Sequence, residues 1–259
     1  MTALTSLTIV QLTDCHLFTD PRGSLRGIET QPRLRQVIAD VRRRVPDFDV
    51  LVVTGDTAND EADATYEAFR MELGDWSERL RIVPGNHDDR SSLTRLFPDA
   101  CERIGERVGF VTGTPDWIVI GLDSQLSGQT AGELGGEQLA WLRARLGAAP
   151  ELDALLFIHH PPIPVGSAWL DEIGLHDAAE LGALIAAHPR VRAVISGHVH
   201  QEVSGSIGGA AVHTTPAVGP QFRPRTTSFE IDPGPPGYRI VELHPAGAWS
   251  TTVVRCNLR

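Results

Sequence analysis

Six short apolar, β-prone runs punctuate the first two hundred residues, at Leu7–Leu12, Val50–Thr54, Leu80–Val83, Trp117–Leu122, Ala154–Ile158 and Arg192–Ile195. Helical patterns separate them, the alternation of a layered α/β fold. The first helix is predicted over Pro32–Val45, where Leu34, Val37, Ile38, Val41 and Val45 recur at i, i+3, i+4, i+7 spacing and proline sits near the first turn. A second runs from Glu61 to Leu73 with Gly74 as its stop. A third covers Gly136–Leu146 with Leu139, Leu142 and Leu146 inward. A fourth begins at Asp177, whose carboxylate is placed to cap the free amides while Glu180 stands in capping-box position. Beyond His200 the texture changes to alternating segments around Ala210–Thr214, Thr227–Ile231, Tyr238–Leu243 and Ser250–Val254, read as antiparallel strands joined by Gly and Pro turns. A mixed β core with helices on both outer faces follows. No repeat or linker marks a boundary, so one domain over 1–259 is expected, near the upper size that one core organises.

Composition narrows the chemistry. No run approaches the roughly 18 apolar residues of a membrane span, and the opening M-T-A-L-T-S lacks a basic start and a long apolar segment. A cytoplasmic address without membrane contact is expected. Cys15, Cys101 and Cys256 are odd in number and far apart, which reads as reduced thiols rather than a disulfide framework or a Cys-rich zinc site. A net charge of −10 argues against a partner held by phosphate neutralisation, such as long nucleic acid. The basic run Arg42, Arg43, Arg44 reads as a solvated helix face. All 23 basic residues are arginine, which excludes a Walker lysine, a Schiff-base lysine and a Ser-Lys dyad. With no G-x-S-x-G elbow either, carboxylates, imidazoles and the metals they hold must do the work.

Five strings supply those groups, each directly after an apolar run: T-D-C-H at 13–16, T-G-D at 54–56, G-N-H-D at 85–88, H-H-P-P at 159–162 and G-H-V-H at 197–200. They offer Asp14, His16, Asp56, Asn86, His159, His198 and His200 as ligands, enough for two four-ligand metal sites if one carboxylate bridges. Two ions roughly 3.5–4 Å apart clamp and hydrolyse phosphate esters. A lone Asp-x-His or His-x-His would read as a hydrogen-bonded strand end; five strings in one order, at strand ends where α/β sheets gather ligands, read as one site. The set of Asp, Asn and His without thiolate suits Mn, Fe or Zn rather than calcium.

In this order the strings resemble the calcineurin-like metallophosphoesterases, with their D-x-H, G-D, G-N-H-D/E, H and G-H-x-H elements. W-L-D-E-I-G-L at 169–175, G-H-V-H-Q, T-P-A-V-G-P-Q-F at 215–222 and P-G-Y-R at 236–239 resemble the class III cyclic-nucleotide phosphodiesterase branch. The resemblance implies a four-layer α/β/β/α sandwich and two divalent ions, one of which can be iron. It implies Asp14, His16 and His200 on the first ion, Asn86, His159 and His198 on the second, and Asp56 between them with a water or hydroxide as nucleophile. Two ions, two carboxylates and a hydroxide leave about +1 to meet a monoanionic diester. Small diesters are the implied substrates, 3',5'-cyclic nucleotides (cAMP or cGMP) first. Glycerophosphodiesters, other diesters or phosphonate esters are the alternative, and an interaction scaffold on the same fold is the second.

The family pattern places His87 beside the leaving group, where a proton or hydrogen bond to a basic alkoxide is worth roughly 10²–10⁴-fold. Two cations would depress its pKa. Substrate contacts are expected from Asn86, His87, His198 and Trp169, the last as an aromatic that either stacks on a purine or anchors its loop. Asp88 is expected to orient His87 or to cap the following short helix, and His160 to support the ligands from behind. Cys15, between two ligands, reads as core packing, and His176, His188, His213 and His244 as structural. A homodimer or higher homo-oligomer is left open.

Overall fold

The computed structural model describes residues 6–257, so five of the six opening residues read for targeting lie outside it. Two mixed sheets carry the fold. The first contains β1 (Leu7–Leu12), β2 (Val50–Thr54), β3 (Leu80–Val83), β11 (Gly237–Leu243) and β12 (Trp249–Arg255), in the order β12-β11-β1-β2-β3. The second contains β4 (Glu102–Ile104), β5 (Arg107–Gly113), β6 (Trp117–Leu122), β7 (Asp153–Ile158), β8 (Val191–Ser196), β9 (Ser204–Ile207) and β10 (Ala210–Thr214), in the order β9-β10-β8-β7-β6-β5-β4. In the first sheet β1, β2 and β3 run parallel while β11 and β12 add antiparallel pairs on the β1 side; in the second the central pairs β10-β8-β7-β6 run parallel and the outer pairs antiparallel.

Alternation along each strand sorts its side chains to two faces. Ile9, Val50, Val52 and Val83 of the first sheet meet Trp117, Val119, Leu155, Phe157, Ala193 and Ile195 of the second in one buried cluster. The other face of the first sheet, with Val10, Leu12, Leu51 and Val53, packs on α1 (Thr30–Arg44) and α2 (Asp63–Leu73). The other face of the second, with Ile120, Leu156 and Val194, packs on α4 (Gly135–Ala148) and α5 (Ala178–Ala186), following the short α3 (Arg90–Leu96) in the chain. Burial on both faces explains why the central strands read as unbroken apolar runs.

The elements expected from periodicity form within a few residues of their predicted limits, and three details differ. Asp177 stands at the start of α5, but its carboxylate accepts from the Leu134 and Gly135 amides at 3.0 and 2.9 Å, closing the start of α4 instead of its own helix. The strand expected over Thr227–Ile231 shrinks to Ile231–Asp232, paired with Gln221–Phe222. Ala210–Thr214 is parallel to β8 and antiparallel only to β9.

Candidate metal centre

Register places the site. Leu12 lies opposite Val53, and Thr54 opposite Val83, so the segments bearing Asp14, Asp56 and Asn86 leave three adjacent parallel strands at the same edge. On the facing sheet Phe157 lies opposite Ile195, which brings His159 and His198 out side by side. The first two segments continue as partners beyond the sheet, Asp14 and His16 donating amides to the Gly55 and Asp56 carbonyls at 3.1 and 2.8 Å. Asp14, His16, Asp56, His198 and His200 all have positive φ, between 46° and 67°. Non-glycine residues rarely adopt this left-handed conformation, and its concentration at five of the seven candidate ligands marks a strained, over-determined loop cluster. Gly55 (φ 85°) serves the same turn, and a Cβ there would meet the Gly85 backbone and the His159 ring.

All seven residues come together. Asp14, His16 and His200 place donor atoms within 4.8 Å of one another, as do Asp14, Asp56 and His159. Asn86 Oδ1 is 3.3 Å from His159 Nε2. Asp56 joins the halves, its Oδ2 lying 3.5 Å from both His16 Nε2 and His159 Nε2 while Oδ1 accepts the His87 amide at 2.9 Å. The imidazoles are pre-oriented by their second nitrogens, a recurring device of metal-ligating histidines. His159 Nδ1 donates to the Thr54 carbonyl at 2.7 Å, His200 Nδ1 to the Pro220 carbonyl at 2.6 Å, and His16 Nδ1 meets Asn59 Oδ1 at 3.2 Å, which leaves Nε2 of each for a ligand. His198 is turned the other way, with Nε2 on the Ile173 carbonyl at 3.1 Å and Nδ1 remaining.

The electrostatics fit a cation. Burial opposes ionisation of Asp56, yet His159, His16 and His87 hold its carboxyl well below the ordinary range. Burial lowers His159 while Asp56 and Asp14 raise it, and the carboxylates win, pushing it up to about 9. Burial dominates at His16, pushed down to about 4, and at His198, well below its ordinary value. Buried lone pairs and carboxylates that converge in this way have the chemistry of a divalent-metal cage.

His87 lies beside this cage, its ring 5.1 Å from that of His16 and a ring nitrogen within 4.8 Å of an Asp56 carboxylate oxygen. Asn86 and His87 are half-exposed whereas the other candidate ligands are buried, so they face the approach to the site. His160 is close enough to be counted with His159 and His198, but Ser124 Oγ at 2.8 Å and the Thr130 carbonyl at 3.0 Å engage both ring nitrogens. It therefore has no lone pair free for a cation and packs its ring against those of His159 and His198.

Asp88 is a correction. Its carboxylate neither orients His87 nor caps α3; it accepts the amides of Thr57, Ala58 and Gly85 and the Tyr66 hydroxyl at 3.0 to 3.2 Å. Asp88 thus ties the loop after β2 to the loop after β3, and burial followed by Asp56 pushes its carboxyl up to about 6. Asp89 is the cap, taking the Ser92 amide at 2.7 Å. Cys15 is fully buried in the helix-side core, as expected. Trp169 is half-buried and packs on Phe222 and Phe229, with its indole N–H 3.3 Å from Thr226 Oγ1. Sequence reasoning missed Asn59, three residues beyond Asp56, and Phe222, which stacks on His200 with ring centroids 3.8 Å apart and planes 8° from parallel.

Known proteins share this frame. A dimetal phosphatase from Danio rerio superposes with a TM-score of 0.67 at 17% identity, over 97% of this chain and 99% of that one. GAP50, the anchor in the inner membrane complex of Plasmodium, does so with a TM-score of 0.65 at 13% identity, over 97% of this chain and 85% of that one. In sequence, the chain is 36% identical over 247 residues to the 3',5'-cyclic adenosine monophosphate phosphodiesterase CpdA of Escherichia coli K12, covering 95% of this chain and 89% of that protein. It is 35% identical over 252 residues to CpdA of Pseudomonas aeruginosa, covering 96% and 90%. Residues 7–202, which hold every candidate ligand, match the calcineurin-like phosphoesterase family, and the chain belongs to that family.

Proposed function

We propose that this chain is a dinuclear-metal phosphodiesterase that hydrolyses 3',5'-cyclic nucleotides, cAMP first, to 5'-nucleotides. The observation that carries the reading is Asp56 Oδ2, set 3.5 Å from an imidazole nitrogen of each donor group, the position of a bridging ligand. The names of relatives about 35% identical over nearly the whole chain support the choice of substrate. In this reading Asp14, His16 and His200 hold one ion, Asn86, His159 and His198 the other, and Asp56 bridges. The oxygen and nitrogen donors favour Mn, Fe or Zn. When bound, the two ions supply positive charge to the phosphate and acidify a water.

The chain's own groups then divide the remaining work. Asn86 holds a phosphate oxygen of a bound diester, whereas His198, with Nε2 on the Ile173 carbonyl and Nδ1 committed to the ion, has no ring nitrogen left for one, and His87, half-exposed at the mouth, donates to the departing ribose oxygen. Asp88 keeps the loops after β2 and β3 in register through its four hydrogen bonds. His160 supports His159 and His198 from behind, and Trp169 borders the substrate side. We take 1–259 to work as one domain, in the cytoplasm, where three buried free cysteines are at home.

Metal content per chain, combined with hydrolysis rates on cAMP, a glycerophosphodiester and a phosphomonoester, tests the reading. Two ions per chain and fastest turnover of cAMP are expected. Two ions with faster glycerophosphodiester turnover would move the assignment to a broad diesterase. A metal-free chain without hydrolysis would make it a scaffold, a use for which seven pre-oriented ligands have no purpose.

A further inference from the structure

An aromatic wall runs outward from the first donor group. It begins on His200, whose ring is covered by Phe222, and continues to Phe229, with centroids 5.2 Å from those of Phe222 and planes at 74°. Trp169 packs 5.5 Å from each of these phenylalanines. Phe222 and Trp169 are half-buried, whereas Phe229 is 37% exposed and is the one aromatic among the large exposed apolar side chains of the described residues.

Phe229 is not needed to close its own loop. The hairpin that carries it is held by the pairing of Gln221 with Asp232, by the Arg223 amide on the Glu230 carbonyl at 2.9 Å and by the Arg223–Glu230 ion pair at 3.1 Å. A second hairpin, pairing Ser24–Leu25 with Ile28–Glu29, turns at Arg26 and Gly27, both at positive φ. From that turn Arg26 lays its guanidinium 4.8 Å from the centre of the Phe229 ring. Among the described residues no carboxylate lies within ion-pair distance of Arg26, which is exposed. A long cation in a left-handed turn and an exposed phenyl ring thus meet across two hairpins, on the flank of the group formed by Asp14, His16 and His200.

We propose that Phe229 and Arg26 form the subsite for the base of the substrate, and that they select nucleotides over diesters without a base. The proposal rests on the cyclic-nucleotide reading above. The wall's continuity with His200 supports it, since a ribose bridges from a phosphate at the metal group to a base two ring contacts away. A purine stacks on an aromatic face and on a guanidinium plane, and the wall offers both. Trp169 backs the wall, positioning Phe222 and Phe229 rather than contacting the base itself.

The test compares the Mn²⁺-loaded wild type with Phe229→Leu, Phe229→Trp and Arg26→Gln on cAMP and on methyl p-nitrophenyl phosphate, which has no base. Stacking is worth enough per base that Phe229→Leu should lower the ratio of kcat/KM values, cAMP over the small diester, by roughly tenfold, mainly through KM. Phe229→Trp should restore the ratio, and Arg26→Gln should lower it less. An equal effect of Phe229→Leu on both substrates overturns the subsite. So does an unchanged ratio accompanied by altered oligomeric mass, which would assign the ring to a contact between copies. Wild-type turnover of the small diester without any turnover of cAMP would instead overturn the cyclic-nucleotide reading on which the subsite rests.

Discussion

The Nε2 atoms of His16 and His200 face each other at 3.2 Å, each with its other nitrogen already engaged by an oxygen acceptor. Asp14 Oδ1 stands 3.3 Å from one and Asp56 Oδ2 3.5 Å from the other. Opposed lone pairs flanked by carboxylates repel until a cation lies among them, so chelation should destabilise the fold. A ligand at a hundred times its Kd adds about 2.7 kcal/mol. For a chain of this size that is roughly 5–10 °C in Tm, measurable by melting with and without a chelator.

Asp56→Asn should lose metal and activity together, because one oxygen serves both donor groups. Loss of several kcal/mol of charge stabilisation corresponds to at least roughly a hundredfold in turnover. Elemental analysis beside a diester assay checks it; two retained ions with near-normal turnover would remove Asp56 from the bridge.

His87→Ala should retain both ions, since the donor sets close without it. Turnover of diesters with alkyl leaving groups should fall by roughly 10²–10⁴-fold, and that of nitrophenyl esters far less, because a phenolate leaves without a proton. Equal losses on both would assign His87 to phosphate positioning.

Metal affinity should rise with pH up to about 9. His159 is pushed up to about 9 by Asp56 and Asp14 against its burial, so at neutral pH an incoming ion must displace its proton. Asp56, held low, is ionised throughout. The sign is therefore one proton released per binding event below pH 9 and none above. Mn²⁺ titrations at pH 7 and pH 9 should differ accordingly, and a pH-independent affinity would contradict the assignment.

Asp177→Ala should lower stability by roughly 0.5–2 kcal/mol, as loss of a helix cap does, without changing metal content. The destabilised element should be α4, because Leu134 and Gly135 lose their acceptor. Slowed exchange lost at the amides of α4 rather than α5 would distinguish the two helices.

What could be read from the sequence was whatever chemistry resides in residue type at a strand end. Asp14, Asp56, Asn86, His159 and His198 each follow a run buried on both faces, so type and place were visible together. Partners that act through backbone were invisible: Thr54, Ile173 and Pro220 orient three histidines with carbonyls that every residue possesses. Asp177 misled because its local pattern suits its own helix, while the amides it serves lie more than forty residues earlier. Asp88 misled likewise, its neighbour Asp89 taking the cap while its own partners come from the loop after β2, from Tyr66 of α2 and from Gly85 in its own loop. The segment holding Phe229 reads as a strand over Thr227–Ile231, of which only Ile231 finds a strand partner, Phe222, so pairing rather than local pattern sets its length.

The donor atoms come from both sheets, which pack on each other through the interior shared by Ile9, Val52, Leu155, Phe157 and Ile195. No single strand, hairpin or helix holds a complete set, so an unfolded or half-docked chain presents only scattered single ligands and pairs. Metal uptake should therefore be a late reporter of folding, recording whether the two sheets have closed on each other. Shaving a methyl group from Ile9 or Val52, neither of which touches a donor atom, should be felt at the metal site as a change in spacing between halves. In this chain the quality of an apolar interior is read out as the occupancy of a polar site.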